Sequence, residues 1–127
     1  MKKIGLITTN KVFAQSLAST IKSMPELGFE PELLLNPHQA MLDAELLGID
    51  IVLSDMSVGV GKTSEELLCF FDNMCEKLPN CRKLLLVSPD DEAARKMVVE
   101  ARDRGRIDDY VFNNASLEYL FAKLSAL

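Results

Sequence analysis

Few residues in this chain have a type and spacing that could do chemistry, and each set can be held against what its chemistry requires. Cys69, Cys75 and Cys81 stand six residues apart, so there is no Cys-x-x-Cys pair, and an odd count makes no disulfide framework. His38 is remote from all three, which leaves zinc short of ligands. Cys69 falls in an apolar stretch and reads as a small buried thiol, whereas Cys75 and Cys81 read as helix-end and strand-start residues. His38 reads as a surface or capping histidine. Gly59-Val60-Gly61-Lys62-Thr63 follows Asp55, and a glycine loop with a lysine between a strand and a helix can cradle phosphates on backbone N–H groups. That pattern wants a glycine five positions before Gly61, where Met56 stands. Nucleotide hydrolysis is therefore not expected.

The elements that must position these residues alternate along the chain. Short apolar runs of the kind that a doubly covered parallel strand needs occur at 3–8, 49–54 and 82–88, and two weaker runs fall at 29–35 and 108–112. Pro31 lacks a backbone donor, which puts the second run at a sheet edge. Between them lie helical patterns. Asn10 caps one over 11–24, with Val12, Phe13, Leu17, Ile21 and Met24 as its apolar positions and Pro25 beyond it. Asn36-Pro37 opens a second, closed by Gly48, and the capping box Thr63/Glu66 opens a third that runs to about Leu78. Asp90 or Asp91 caps a fourth, lined by Ala93, Ala94, Met97, Val98 and Ala101 and ended by Gly105. Ser116 caps the last, lined by Leu117, Leu120, Phe121 and Leu124. Five strand-helix units with short connections predict an α/β fold, a doubly wound five-stranded parallel sheet of order 2-1-3-4-5. A pocket in such a sheet lies at the carboxyl ends of the strands, where the order reverses. Thr8, Thr9, Asp55, Ser88 and Asn113 are the residues that this geometry gathers.

With these residues in place the sequence resembles the receiver domains of two-component response regulators. The likeness rests on KIGLITTN, on Asp55 after IDIVLS, on Ser88 closing KLLLVS and on DYVFNNASLEYL, and it runs the length of the chain. It implies a flavodoxin-like fold in which Asp55 holds the phosphoacceptor position, Ser88 the hydroxyl position and Tyr110 the aromatic switch position. The family holds magnesium with an acidic pair after the first strand, and here those places are Thr8 and Thr9. Its lysine at the end of the fifth strand is replaced by Asn113, with Asn114 where a proline usually follows. The family's set of three carboxylates and one lysine carries −2, whereas Thr8, Thr9, Asp55 and Asn113 carry −1. Losing two charged contacts, each worth about 1.5–3 kcal/mol, weakens a hard-cation site severely. The expectation is a degenerate receiver that signals through protein contacts, is not an enzyme and needs no cofactor. Compensation by Asp90, Asp91 or Lys62 would restore the alternative, a genuine phosphoacceptor that uses Asp55 with an atypical magnesium site. A third reading is a small-ligand module that uses the same pocket.

Composition sets the remaining bounds. The chain has 127 residues, one domain's worth, and 14 Lys+Arg against 19 Asp+Glu give a net charge of −5. That balance opposes direct nucleic-acid binding. No apolar run approaches the length of a membrane span, and the run after Met1-Lys2-Lys3 is too short for a secretion signal. A cytoplasmic single receiver-like domain over 1–127 is expected, either alone or as the first domain of a longer protein. Opposite charges alternate along 90–104, with Glu92/Lys96 and Glu100/Arg104 four apart. The resemblance makes the helices at 91–104 and 116–127 the candidate surface for a protein partner, an output domain or a homodimer.

Overall fold

The computed structural model describes residues 2–8, 10–34, 39–55, 69, 72–73 and 75–127. Thr9, the Asn36-Pro37 helix opening, His38, the 59–63 loop with Lys62 and the Thr63/Glu66 capping box lie outside them. In chain order the elements are β1 (Lys2–Ile7), α1 (Lys11–Lys22), a short 3-10 turn (Pro25–Leu27), β2 (Phe29–Leu34), α2 (Ala40–Leu47), β3 (Ile51–Asp55), β4 (Arg82–Val87), α3 (Glu92–Asp103), β5 (Asp109–Phe112) and α4 (Leu117–Ala126). Cys69, Asp72, Asn73 and residues 75–77 are also helical. The strands form one sheet of order β2-β1-β3-β4-β5, and every pair is parallel. Pro31 sits in the edge strand β2, opposite Ile4, where its missing N–H costs no ladder bond on the open side.

Both faces of the sheet are covered, which explains why the strands read as continuous apolar runs. On one face Leu17 and Ile21 of α1 and Leu120, Phe121 and Leu124 of α4 pack on Ile4, Leu6, Leu53, Leu84 and Leu86. On the other, Ala40 and Ala44 of α2 and Ala94, Val98 and Ala101 of α3 pack on Ile7, Val52, Leu85 and Val87. Alanines at helical spacing let α2 and α3 lie close to the sheet. The caps fall where the sequence puts them: Asn10, Asp91 and Ser116 each accept a backbone N–H three residues on, from Phe13, Ala94 and Tyr119. Gly48 and Gly105 take left-handed φ of 68° and 76° just past their helices.

Several expectations are corrected. Val12 is 78% exposed, because adjacent residues on a helix point about 100° apart and the buried stripe of α1 is Ala14, Leu17, Ala18 and Ile21. Leu117 is exposed because it lies in the first turn of α4, before that helix reaches the core, and Ala93 because it points about 100° away from its buried neighbour Ala94. Cys69 is exposed rather than buried. β3 begins at Ile51 rather than residue 49, since the Ile49 N–H donates to the Ala44 carbonyl and closes α2. It extends one residue further than expected, so Asp55 is its last member. β4 ends at Val87 and β5 begins at Asp109, each one residue short of the expected run. Glu92 pairs with Arg95 rather than Lys96, at 3.9 Å, while Glu100 and Arg104 pair as expected at 2.9 Å.

Candidate functional site at the carboxyl ends of the strands

Strand register assembles the site. β1 and β3 pair through Ile7↔Ser54, so Thr8, one step on, comes level with Asp55. Asp55 in turn stands opposite Leu86 of β4, and Ser88 follows two residues later. Val87 pairs with Phe112 of β5, which brings Asn113 level with Ser88, and the Asn113 N–H donates to the Val87 carbonyl at 2.9 Å. Thr8, Asp55, Ser88 and Asn113 thus follow one another across four neighbouring strands, beside the order reversal between β1 and β3.

Part of this region is committed to local structure. Thr8 is buried, and its hydroxyl oxygen accepts the Asn10 N–H at 3.1 Å. Asn10 accepts the Phe13 N–H at 3.0 Å, so the turn after β1 is spent on starting α1. Ser88 is half-buried, and its carbonyl accepts the Asp91 N–H at 3.2 Å. The Asp91 carboxylate accepts the Ala94 N–H at 3.0 Å, which makes it the cap of α3. That capping role disfavours Asp91 as a substitute magnesium ligand. Asp90 is exposed in the same turn and accepts no such bond. Asn113 is exposed and supplies a neutral amide just past the end of β5.

Tyr110 lies away from this row. Its half-buried ring meets Phe112 edge-on, with centroids 5.8 Å apart, and the Arg102 guanidinium lies 5.1 Å from its centroid. Next to it, Asp109 was not singled out by the sequence. Its carboxylate takes Lys123 at 2.7 Å and Arg102 at 3.6 Å, from helices on either side of β5. Burial would raise the Asp109 pKa, but the Lys123 hydrogen bond, the Tyr110 N–H and the two cations outweigh it and hold the carboxyl below its usual range. The same hydrogen bond raises Lys123. Two hollows flank Tyr110: one of about 670 Å³ lined by Arg95, Lys96, Val99 and Phe112, and one of about 470 Å³ lined by Arg102, Asp109, Tyr119 and Lys123.

Five parallel strands in this order, covered on both faces, define a flavodoxin-like α/β protein. No family model and no curated protein matches the sequence. Solved structures do match. A response regulator receiver domain protein from Clostridium thermocellum aligns with a TM-score of 0.80 at 16% identity, over 99% of this chain and 93% of that one. A two-component response regulator from Clostridium difficile aligns with a TM-score of 0.77 at 20% identity, over 99% and 94%. A response regulator from Burkholderia pseudomallei, solved with a phosphorylated aspartic acid and a calcium ion, gives 0.72 at 22%, over 99% and 72%. The chain has the fold of a response regulator receiver domain. Among the described residues no helix is long and apolar enough to cross a membrane.

Proposed function

We propose that the chain is a receiver-type signalling domain that works in the cytoplasm through protein contacts, without an efficient aspartyl phosphate and without enzymatic activity of its own. The observation that carries this reading is the row Thr8, Asp55, Ser88, Asn113. It keeps the acceptor position and the hydroxyl position but holds neutral groups where a receiver needs a metal-binding carboxylate and a lysine. The buried Thr8 hydroxyl is already bonded to the turn that starts α1. A divalent cation there would meet one hydroxyl in place of a charged ligand, and magnesium gives up its water reluctantly to neutral donors. The contact surface in this reading is formed by α3, β5 and α4. There the Arg102–Asp109–Lys123 bridge fixes β5 against both helices, and Tyr119 and Leu117 stand about half exposed.

A magnesium titration followed by backbone amide shifts of Thr8, Ser88 and Asn113 tests the site directly. The natural chain is expected to show no saturation over the millimolar range. The Thr8→Asp/Thr9→Asp variant should gain at least about tenfold in affinity, since each charged contact is worth about 1.5–3 kcal/mol. Binding by the natural chain as tight as by the variant would restore the phosphoacceptor reading, with an atypical metal site at Asp55.

A further inference from the structure

At the end of the sheet opposite Thr8 and Asp55, two cysteines and a buried lysine meet at the start of β4. Cys81 is buried immediately before the strand, and its N–H donates to the Leu78 carbonyl at 3.0 Å, closing a tight turn over 78–81. Cys75 lies three residues before Leu78, in the helical residues that lead into that turn. Its thiol sits 3.8 Å from the Arg106 carbonyl oxygen. Ile107, the residue after that same Arg106, is buried in one core cluster with Cys81. Cys75 at the Arg106 carbonyl and Cys81 packed with Ile107 thus lie at one corner of the fold. Lys83, two residues on and so on the same side of β4 as Cys81, is 4% exposed, and its ammonium donates to the Cys81 carbonyl at 3.0 Å.

We propose that Cys75 and Cys81 form a reversible intramolecular disulfide by exchange with a low-molecular-weight disulfide, with Lys83 as the positioning cation of the resolving step. Exposure orders the chemistry. Cys75 is half-buried and can be reached. Burial pushes the Cys81 thiol up to about 11, against the lowering charge of Lys83, so it does not open the exchange from solvent. The Cys75 thiolate attacks one sulfur of the external disulfide, which breaks and releases one thiolate. Cys81 then loses its proton to that thiolate and attacks the Cys75 sulfur. The mixed disulfide breaks, the Cys75–Cys81 bond forms and a second thiolate leaves, to take up the proton that Cys75 lost on ionising. Two protein thiols are oxidised and one external disulfide is reduced to two thiols. The buried Lys83 ammonium lowers the cost of the transient Cys81 thiolate. The product would tie the end of the helical segment to the first residue before β4, away from the row that contains Asp55.

The chain is incubated with oxidised glutathione, quenched in acid, and its intact mass and non-reduced tryptic peptides are read. The expected product has lost two hydrogens and joins the peptide ending at Lys77 to the peptide ending at Arg82. Cys69→Ser retains this link, and Cys75→Ser abolishes it. In Lys83→Met the glutathione adduct at Cys75 resolves about tenfold more slowly, and its pH midpoint moves up by about one unit. A stable glutathione adduct in the natural chain, or a link that disappears with Cys69→Ser, overturns the pairing. An unchanged rate and pH midpoint in Lys83→Met overturn the role of the lysine.

Discussion

Asp109 shows how a single residue can organise a surface. Its carboxylate joins Lys123 of α4 to Arg102 of α3, and the side chains are 20% and 31% exposed at the Asp109–Lys123 contact. A half-screened pair of this kind is worth about 0.5–1 kcal/mol. The Asp109 pKa lies below its ordinary 3.8, so the stabilisation is complete above that pH and is lost as pH falls through the lower folded value. The Lys123 pKa lies above its ordinary 10.5, so the stabilisation is complete below that pH and fades as pH rises through the higher folded value. Lys123→Met should therefore lower stability by about 0.5–1 kcal/mol at neutral pH. Urea unfolding at pH 7 and at pH 2.5 checks this, because the deficit should shrink at the lower pH. An equal deficit at both would assign the loss to packing of the lysine stem. The bridge was not legible in the sequence: Asp109 and Lys123 are 14 positions apart, and nothing in their spacing says that α4 returns to the edge of β5. Thr8 and Asn113 were legible, because each directly follows an apolar run.

At the level of elements, caps and glycines carried most of the readable signal. Asn10, Asp91 and Ser116 announce helix starts by residue type, and each accepts the N–H three residues on. Gly48 and Gly105 announce helix ends. Which residues of a helix face inward was read less well. Val12, Ala93 and Leu117 carry the right hydrophobicity but stand off the buried stripe or ahead of the core, a matter of angle and helix placement that composition does not record. Gly5 is a close-packing point that β1 hides in its apolar run. A Cβ there would meet the Leu34 Cδ1 at 2.9 Å and the Ile49 Cγ2 at 3.2 Å. The Leu34 tip can rotate away, but Ile49 is buried where α2 gives way to β3. Gly5→Ala should thus lower the unfolding free energy by about 1–2 kcal/mol through overpacking. An unchanged urea midpoint would show that Leu34 and Ile49 pack over Gly5 less tightly than these contacts imply.

The whole molecule was legible where topology alone decides. Alternating strands and helices with short connections leave few arrangements, and the doubly wound order follows from right-handed crossovers. The position of the pocket follows from that order, so the strand-end residues are legible in the sequence. What they do could not be gathered in the same way, since a fold hosts many functions and the site must be argued from its chemistry. In the proposed reading the chemistry turns on charge: Asp55 ends β3, while Thr8 and Asn113 leave its neighbours neutral. The proposal is that such a row leaves signalling to the face of α3, β5 and α4 rather than to a phosphoryl group. The most direct test is the intact mass of the chain after incubation with acetyl phosphate and magnesium, with Asp55→Asn as the control. No Asp55-dependent gain is predicted. A gain of one phosphoryl group in the natural chain that is absent from Asp55→Asn would contradict the account and make Asp55 a working acceptor.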